Sequence, residues 1–422
     1  MSMEYRTLAR LFHADRSMDS YANHDRLVRQ RLEADSTFTT GIGTPLGELF
    51  IATPRCVCML TQKVLLAERQ VSAMWRSIPG VMRWNYIYHA ISEELLATNE
   101  MEGVRSTRKE TEAAVAAARQ ARTEGDMEKA RFGEFAKLYL NLTNRDVELP
   151  KTLEDIRDIY DKIALDEIDD KNRPDGELFR KGDVEVQGPH GTVIHSGVSS
   201  EARISALLAQ MMDLARSDTI PFLQRAIASH FLFEYIHPFY DGNGRTGRFL
   251  FALQLRQHLS APTAISLSPV IYDGKDRYYK AFEDAQHPLN RRDGSIFVYR
   301  MMKFVADAQK KLIDDLSEKG SMLLHAVNRL ESLKEERQWD DVEANIIAVL
   351  VQEELFGESP HRVTRRQLGE GLGLGRKKIT QGLGSLEETE AVSHKGTRPA
   401  FYSLTDEIRA RLLAGITGGG DE

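Results

Sequence analysis

The sequence predicts a mainly α-helical protein that carries one small β-hairpin and closes on a winged-helix domain. Three observations lead there. Apolar residues recur at spacings of three and four over most of 84–336. One Gly- and Pro-punctuated stretch, 176–198, alternates apolar and polar residues instead. Beyond 341, three short helical patterns are followed by strand, Gly and strand.

The elements follow in chain order. Residues 1 to about 80 are mixed: 46–51 and 57–60 look extended, and Gly41-Ile42-Gly43 reads as a turn. From Trp84 onward Ile87, Ile91, Leu95 and Thr98 share one helix face, and the Ala-rich stretch 110–122 is helical by propensity. Leu153, Ile156, Tyr160 and Ile163 make a further amphipathic stripe. The alternating stretch places hairpin strands near 184–186 and 192–195. Helices are then expected over 200–216, 221–236, 246–259, 276–285 and 296–336, with Pro221 suited to a first helical turn. A domain boundary is expected near 320–340, where the helix becomes charge-rich.

Composition narrows the class. A chain of 422 residues, 41% hydrophobic and 28% charged, is globular and long enough for two or three domains. The net charge of −7 excludes a molecule basic all over, so any nucleic-acid patch must be local. Cys56 and Cys58 are too few for a disulfide framework or a zinc site and read as reduced thiols. The charged N-terminus is no signal peptide, and no apolar run reaches the ~18 residues of a membrane span. A cytoplasmic protein with no membrane partner is expected.

The segment from His237 to Arg248, HPFYDGNGRTGR, concentrates the chemistry. Pro238 ends the preceding helix, and the apolar run FLFALQLRQHL begins the next. Gly242 and Gly244 around Asn243 let the backbone turn sharply and aim N–H groups inward, which at a helix N-terminus makes an anion site. Arg245 and Arg248, three apart, can fork onto phosphate oxygens. Asp241 can hold a magnesium ion already bound to phosphates. His237 is the one group here able to take a hydroxyl proton near neutrality. The loop follows a helix, unlike the Rossmann and P-loop types, which follow a strand. His230, Glu234 and His237 also share metal-binding spacing, but His230 reads better as a packed helix residue.

This segment resembles the signature of the Fic family, His-x-Phe-x-[Asp/Glu]-Gly-Asn-Gly-Arg-x-x-Arg, and matches every fixed position. The resemblance implies the helical Fic fold with a hairpin flap over roughly 90–300, and AMP transfer from ATP with Mg²⁺ to a protein hydroxyl. It implies that His237 is the catalytic base and that Asp241 holds the metal. Asn243 and the N–H groups of Gly242, Gly244 and neighbouring Thr246 and Gly247 would cradle phosphates that Arg245 and Arg248 bind, with Phe239 anchoring the loop. It places the flap at Gly191, Thr192, Val193 and Ile194, and adenine or ribose contacts at Tyr278, Tyr279 and Gln286. Gln286 departs from the usual Asn. Simple helix packing is the competing reading of the tyrosines.

Upstream, Thr98-Asn99-Glu100-Met101-Glu102-Gly103 is similar to the family's inhibitory pattern. That similarity implies that Glu102 pairs with Arg248 and occupies the γ-phosphate site, with Gly103 as the helix stop.

The C-terminal stretch resembles a winged helix-turn-helix. From 361 to 400 it holds eight Lys and Arg against four Glu, a local positive excess suited to DNA, although a protein-contact or dimer surface reads as well. The expected organisation is an extension 1–85, a catalytic domain 86–300 whose inhibitory helix is 86–103, a connector 301–340, the winged helix 341–405 and a tail 406–422. Expected partners are a protein substrate, which can be the chain itself, DNA, and a second copy of the chain. Competing readings are a DNA-binding regulator with a nucleotide-sensing Fic domain, and a Fic enzyme that phosphorylates or that removes AMP.

Overall fold

The computed structural model describes residues 5–124, 130–144, 146–187, 193–356 and 363–413. Helices α1 (Leu8–Ala14) and α2 (Ser20–Leu32) precede a hairpin of β1 (Thr37–Thr44) and β2 (Gly47–Ala52). Helices α3 (Arg55–Ser77), α4 (Gly80–Met101), α5 (Arg108–Glu124), α6 (Gly133–Asn141) and α7 (Leu153–Ala164) follow. A second hairpin, β3 (Glu185–Gln187) and β4 (Val193–Ser196), leads to α8 (Glu201–Arg216), α9 (Phe222–Ile236) and α10 (Asn243–Arg256). Then come α11 (Ala261–Ala264), α12 (Ser268–Asp273), α13 (Lys275–Gln286) and the long α14 (Ser295–Arg337). The chain closes with α15 (Asp341–Phe356), β5 (Val363–Thr364), α16 (Arg365–Leu372), α17 (Arg376–Glu388), β6 (Val392–Lys395), β7 (Phe401–Leu404) and α18 (Asp406–Leu413). The protein is mainly α, as the periodicity predicts. Among the described residues no helix is long and apolar enough to cross a membrane.

The chain separates into two compact units. One comprises Met1–Val71 and Ala90–Lys310, the other Ser72–His89 and Lys311–Glu422. The divisions fall inside α3, α4 and α14. The boundary expected near 320–340 therefore lies earlier, within a continuous helix that gives no compositional break.

In the first unit α9 is the central helix. Twelve of its fifteen residues are buried, the all-round burial expected of a bundle core. It packs between α8 and α10. α7 begins with a capping box, Thr152 and Asp155 bonding each other's backbone N–H groups. Two expectations fail near the N-terminus. Residues 57–60 are helical, because Val57, Val64 and Val71 recur every seven residues as a buried stripe that a four-residue window cannot reveal. Gly41-Ile42-Gly43 lies inside β1 rather than in a turn; Gly41 has φ +73°, and the register slips between Thr39 and Gly43 as a bulge.

In the second unit α15, α16 and α17 pack their apolar faces together through Ile346, Ile347, Leu368, Ile379 and Leu383, all buried. A methyl group on Gly382 would lie 2.9 Å from the Ile346 side chain, so glycine permits the α15–α17 approach. The three-stranded sheet has the order β5-β7-β6, antiparallel throughout. Neither Cys56 nor Cys58 is joined in a disulfide.

Candidate active site

The site forms where α9 stops and α10 starts. Pro238 prevents α9 from continuing, and His237 takes the left-handed conformation, φ 52°, with its N–H on the Phe233 carbonyl. A buried arginine that sequence reasoning did not single out fixes this corner. Arg180 donates from Nε to the His237 carbonyl at 2.8 Å and from Nη2 to Val198 O at 2.8 Å. The hairpin base is pinned to the same corner by Val198 N–H to Ile236 O at 3.1 Å. A methyl group on Gly197 would meet Arg180 Nη2 at 2.5 Å and His237 Cβ at 3.2 Å, so glycine is required there. A lone Arg in a loop leaves no periodic signal by which to find it.

The loop closes on itself. Phe239 is fully buried, its ring stacked 3.6 Å from that of Tyr160. The Asn243 side chain accepts from Phe239 N–H at 3.0 Å and donates to Phe239 O at 2.8 Å. Thr246 Oγ1 donates to Gly242 O at 2.9 Å. The side chain of Asn243, expected to touch phosphates, is thus spent on building the loop, as is that of Thr246. Gly242 has φ +80°, and a methyl group there would strike Ala164 Cβ at 2.7 Å.

The two arginines differ. Arg248 is satisfied by α4: its Nε donates to Thr98 Oγ1 at 2.8 Å, and its Nη2 to Glu102 Oε1 at 2.8 Å and Thr98 O at 3.2 Å. Its side chain is 2% exposed against 22% for Glu102. Burial opposes its charge, but Glu102, together with Tyr278 and Glu234, outweighs burial and holds the guanidinium above its ordinary range. Glu102 also covers the loop, since a methyl group on Gly244 would lie 2.2 Å from its Oε1. Arg245 is fully buried, and its Nε, Nη1 and Nη2 have no hydrogen-bond partner. Burial lowers its pKa, offset by Glu102 and Asp241. A guanidinium stays charged nonetheless, so the arrangement asks for an anion.

His237 Nδ1 faces Glu234 O at 3.3 Å, which places the proton on Nδ1 and leaves the Nε2 lone pair free. Burial, reinforced by His195, pushes the imidazole down to about 4, so it is a neutral base at physiological pH. Asp241 is exposed; its Oδ1 accepts from Gly242 N–H at 2.6 Å. Among the described residues no group of three or more His, Cys, Asp or Glu could hold a metal ion. A cation at Asp241 would rest on one carboxylate and on phosphates, the manner usual for magnesium.

His230 is packed, as the sequence suggests. It lies against Phe251, with Nδ1 on Gly247 O at 3.1 Å and Nε2 on Tyr278 OH at 2.9 Å. Tyr278 is therefore buried packing rather than an open nucleotide contact, whereas Tyr279 is 38% exposed. Gln286 ends α13 and interacts with His195. Gly191 and Thr192 lie outside the described residues; Val193 and Ile194 begin β4, with their backbones alone described. Gly247 packs against a residue sequence reasoning had set aside: a methyl group there would meet Glu234 Oε1 at 2.2 Å. Glu234 Oε1 is buried without a partner, and burial raises this carboxyl to about 8.

Residues 150–255 match the Fic/DOC family. A probable protein adenylyltransferase of Aquifex aeolicus is 36% identical over 73 residues, 17% of this chain and 21% of that protein. The chain thus matches about a fifth of the length of this curated relative. Among solved structures, a Fic family protein from Desulfovibrio desulfuricans aligns at 20% identity over 84% of this chain and 97% of its own, with a TM-score of 0.49. A Fic domain-containing signalling protein from Bacteroides thetaiotaomicron aligns at 18% identity over 60% of this chain and 97% of its own, with a TM-score of 0.38. The chain carries a Fic/DOC family domain.

Proposed function

We propose that this protein transfers AMP from ATP to a hydroxyl of a protein and that Glu102 holds it inactive. The observation that carries the reading is Arg245, a buried cation with three unpartnered nitrogens beside a glycine loop and a neutral histidine. The similarity to a probable protein adenylyltransferase supports the same chemistry.

In this reading the β- and γ-phosphates lie on Arg245, Arg248 and the N–H groups at the start of α10. Asp241 would hold Mg²⁺, which neutralises phosphate charge. His237 Nε2 takes the proton of the target hydroxyl. The hydroxyl oxygen bonds to the α-phosphorus, the bond to the bridging oxygen breaks, and pyrophosphate leaves with its electrons. Catalysis is positioning and charge stabilisation. The edge of the β3–β4 hairpin, unpaired among the described residues, suits a target segment added as a strand.

With Glu102 on Arg248 and over Gly244, the γ-phosphate has no place, so a bound triphosphate is unproductive. Glu102→Gly protein incubated with α-labelled ATP should label itself or an added target far more than wild type. The double variant Glu102→Gly, Arg248→Ala should lose that gain, because one arginine serves both brake and phosphate, and the two changes should be strongly non-additive. A Glu102→Gly protein no more active than wild type, or a double variant that stays activated, rejects the brake. Absence of label from every variant rejects AMP transfer itself.

A further inference from the structure

The second unit holds a cluster of basic residues outside the segment from His237 to Arg248. A cavity of about 780 Å³ opens between α16, the start of α17 and the segment entering β7; it is lined by Arg365, Arg366 and Arg376 among others. Arg365 donates to Tyr402 OH at 2.8 Å while its Nε is buried without a partner. Arg366 is exposed, with Glu370 only at 3.6 Å. Arg376, which also lines the cavity, and Lys377 and Lys378 of α17 are exposed, as are Lys395 of β6 and Arg398 between β6 and β7.

The charges of α17 oppose its own helix. Its first turn carries Arg376, Lys377 and Lys378 with no acid, and its last carries Glu387 and Glu388 with no base. A helix N-terminus is itself electropositive, so cations there and anions at the far end both cost stability. Glu387 at the far end is answered by His394 within the chain; the broken rule in the first turn points to an external partner, and an anion is the partner that relieves it. Nothing within 4 Å would meet a methyl group on Gly371, Gly373, Gly375 or Gly384, so the surface over the turn is open to close approach. The exposed face of α17 also presents Thr380 and Gln381, whose groups can pair with base edges. The exposed large hydrophobic residues of the protein include none between 363 and 413, so the face lacks the apolar anchors of a protein interface.

We propose that the α16–α17 turn and the β6–β7 hairpin form a docking face for duplex DNA, with the cavity arginines and the first turn of α17 on the phosphates and Thr380 and Gln381 toward a groove. Phosphate contacts supply the affinity and release counterions, so binding weakens as salt rises, with a log–log slope near −0.9 for each phosphate neutralised.

The test uses the full-length chain, a fluorescent DNA duplex and anisotropy from ~50 to ~200 mM salt. Wild type should bind at the low end and weaken steeply. Arg376→Ala/Lys377→Ala/Lys378→Ala should bind at least about tenfold more weakly, with a slope shallower by about 3. A second variant, Lys395→Ala/Arg398→Ala, should weaken binding independently. Unchanged thermal unfolding shows that both variants are folded, and self-labelling of the same variants in the Glu102→Gly background should not change. No binding at ~50 mM salt, where phosphate contacts are strongest, overturns the proposal. So does wild-type affinity and slope in both variants, or loss of self-association in sedimentation without any loss of DNA binding.

Discussion

Gly242-Asn243-Gly244 and Gly373-Leu374-Gly375 are alike on paper: a glycine-spaced turn, then a helix that starts with cations. In the first, Gly242 is left-handed and leads to Arg245 and Arg248, both buried. In the second, Gly373 is left-handed and leads to Arg376, Lys377 and Lys378, all exposed. An added methyl group would strike Ala164 or Glu102 in the first turn and nothing in the second. Burial turns one local pattern into an enclosed cleft and leaves the other as an open face. Desolvation makes an unpartnered guanidinium costly in the first turn, whereas water screens the cations of the second.

The largest expected contrast is catalytic. In the Glu102→Gly background, His237→Ala should cut labelling by roughly 10²–10⁴, the usual worth of a general base, and leave ATP binding nearly intact by calorimetry. Lys377→Ala, at the open turn, should leave labelling unchanged. A His237→Ala enzyme at full rate would remove His237 from the mechanism. Because its imidazole titrates near 4, labelling should stay on a plateau through neutral pH and fall only as pH drops toward that value.

The glycines give the next contrast. Gly242→Ala combines left-handed strain with a 2.7 Å contact to Ala164 Cβ. It should cost about 2–4 kcal/mol, read as a lowered unfolding midpoint. Gly373→Ala meets only the strain and should cost about 1 kcal/mol. Equal losses would mean that the packing around Gly242 yields.

The helices and the loop were legible in the sequence because each carries a dense local signal: the period of 153–163, the glycine pair, the two arginines, and Pro238 before the turn. The Glu102–Arg248 pairing was legible too, through residues 146 apart, since both ends carry recognisable motifs. What stayed hidden was tertiary. Arg180 spans from a loop to the His237 carbonyl and belongs to no repeat. The use of the Asn243 side chain depends on where the Phe239 backbone folds back. Val57, Val64 and Val71 form a face only over a longer window than a strand-like tetrad offers. Tyr278 reads equally as a nucleotide contact or as helix packing until His230 is placed against it.

A further contrast is in proton linkage, and it singles out Glu234. Arg248 of α10, Glu102 of α4 and Tyr278 and Tyr279 of α13 act on this carboxyl. Burial raises it from 4.5 to about 8, against the pull of Arg248, so the folded protein holds it protonated at neutral pH. The folded value lies above the unfolded one. The stability it contributes is therefore complete below the unfolded value and is lost as pH rises toward the folded value. Glu234→Gln keeps the shape and a neutral donor but cannot titrate. The stability of wild type relative to Glu234→Gln should fall between pH 5 and 8 by up to roughly a few kcal/mol, followed by chemical denaturation at each pH. Other titrating groups cancel in the difference. Parallel pH curves for wild type and Glu234→Gln would mean that Glu234 is ionised in the folded protein, and the cleft would then hold a second carboxylate competing with phosphate for Arg248.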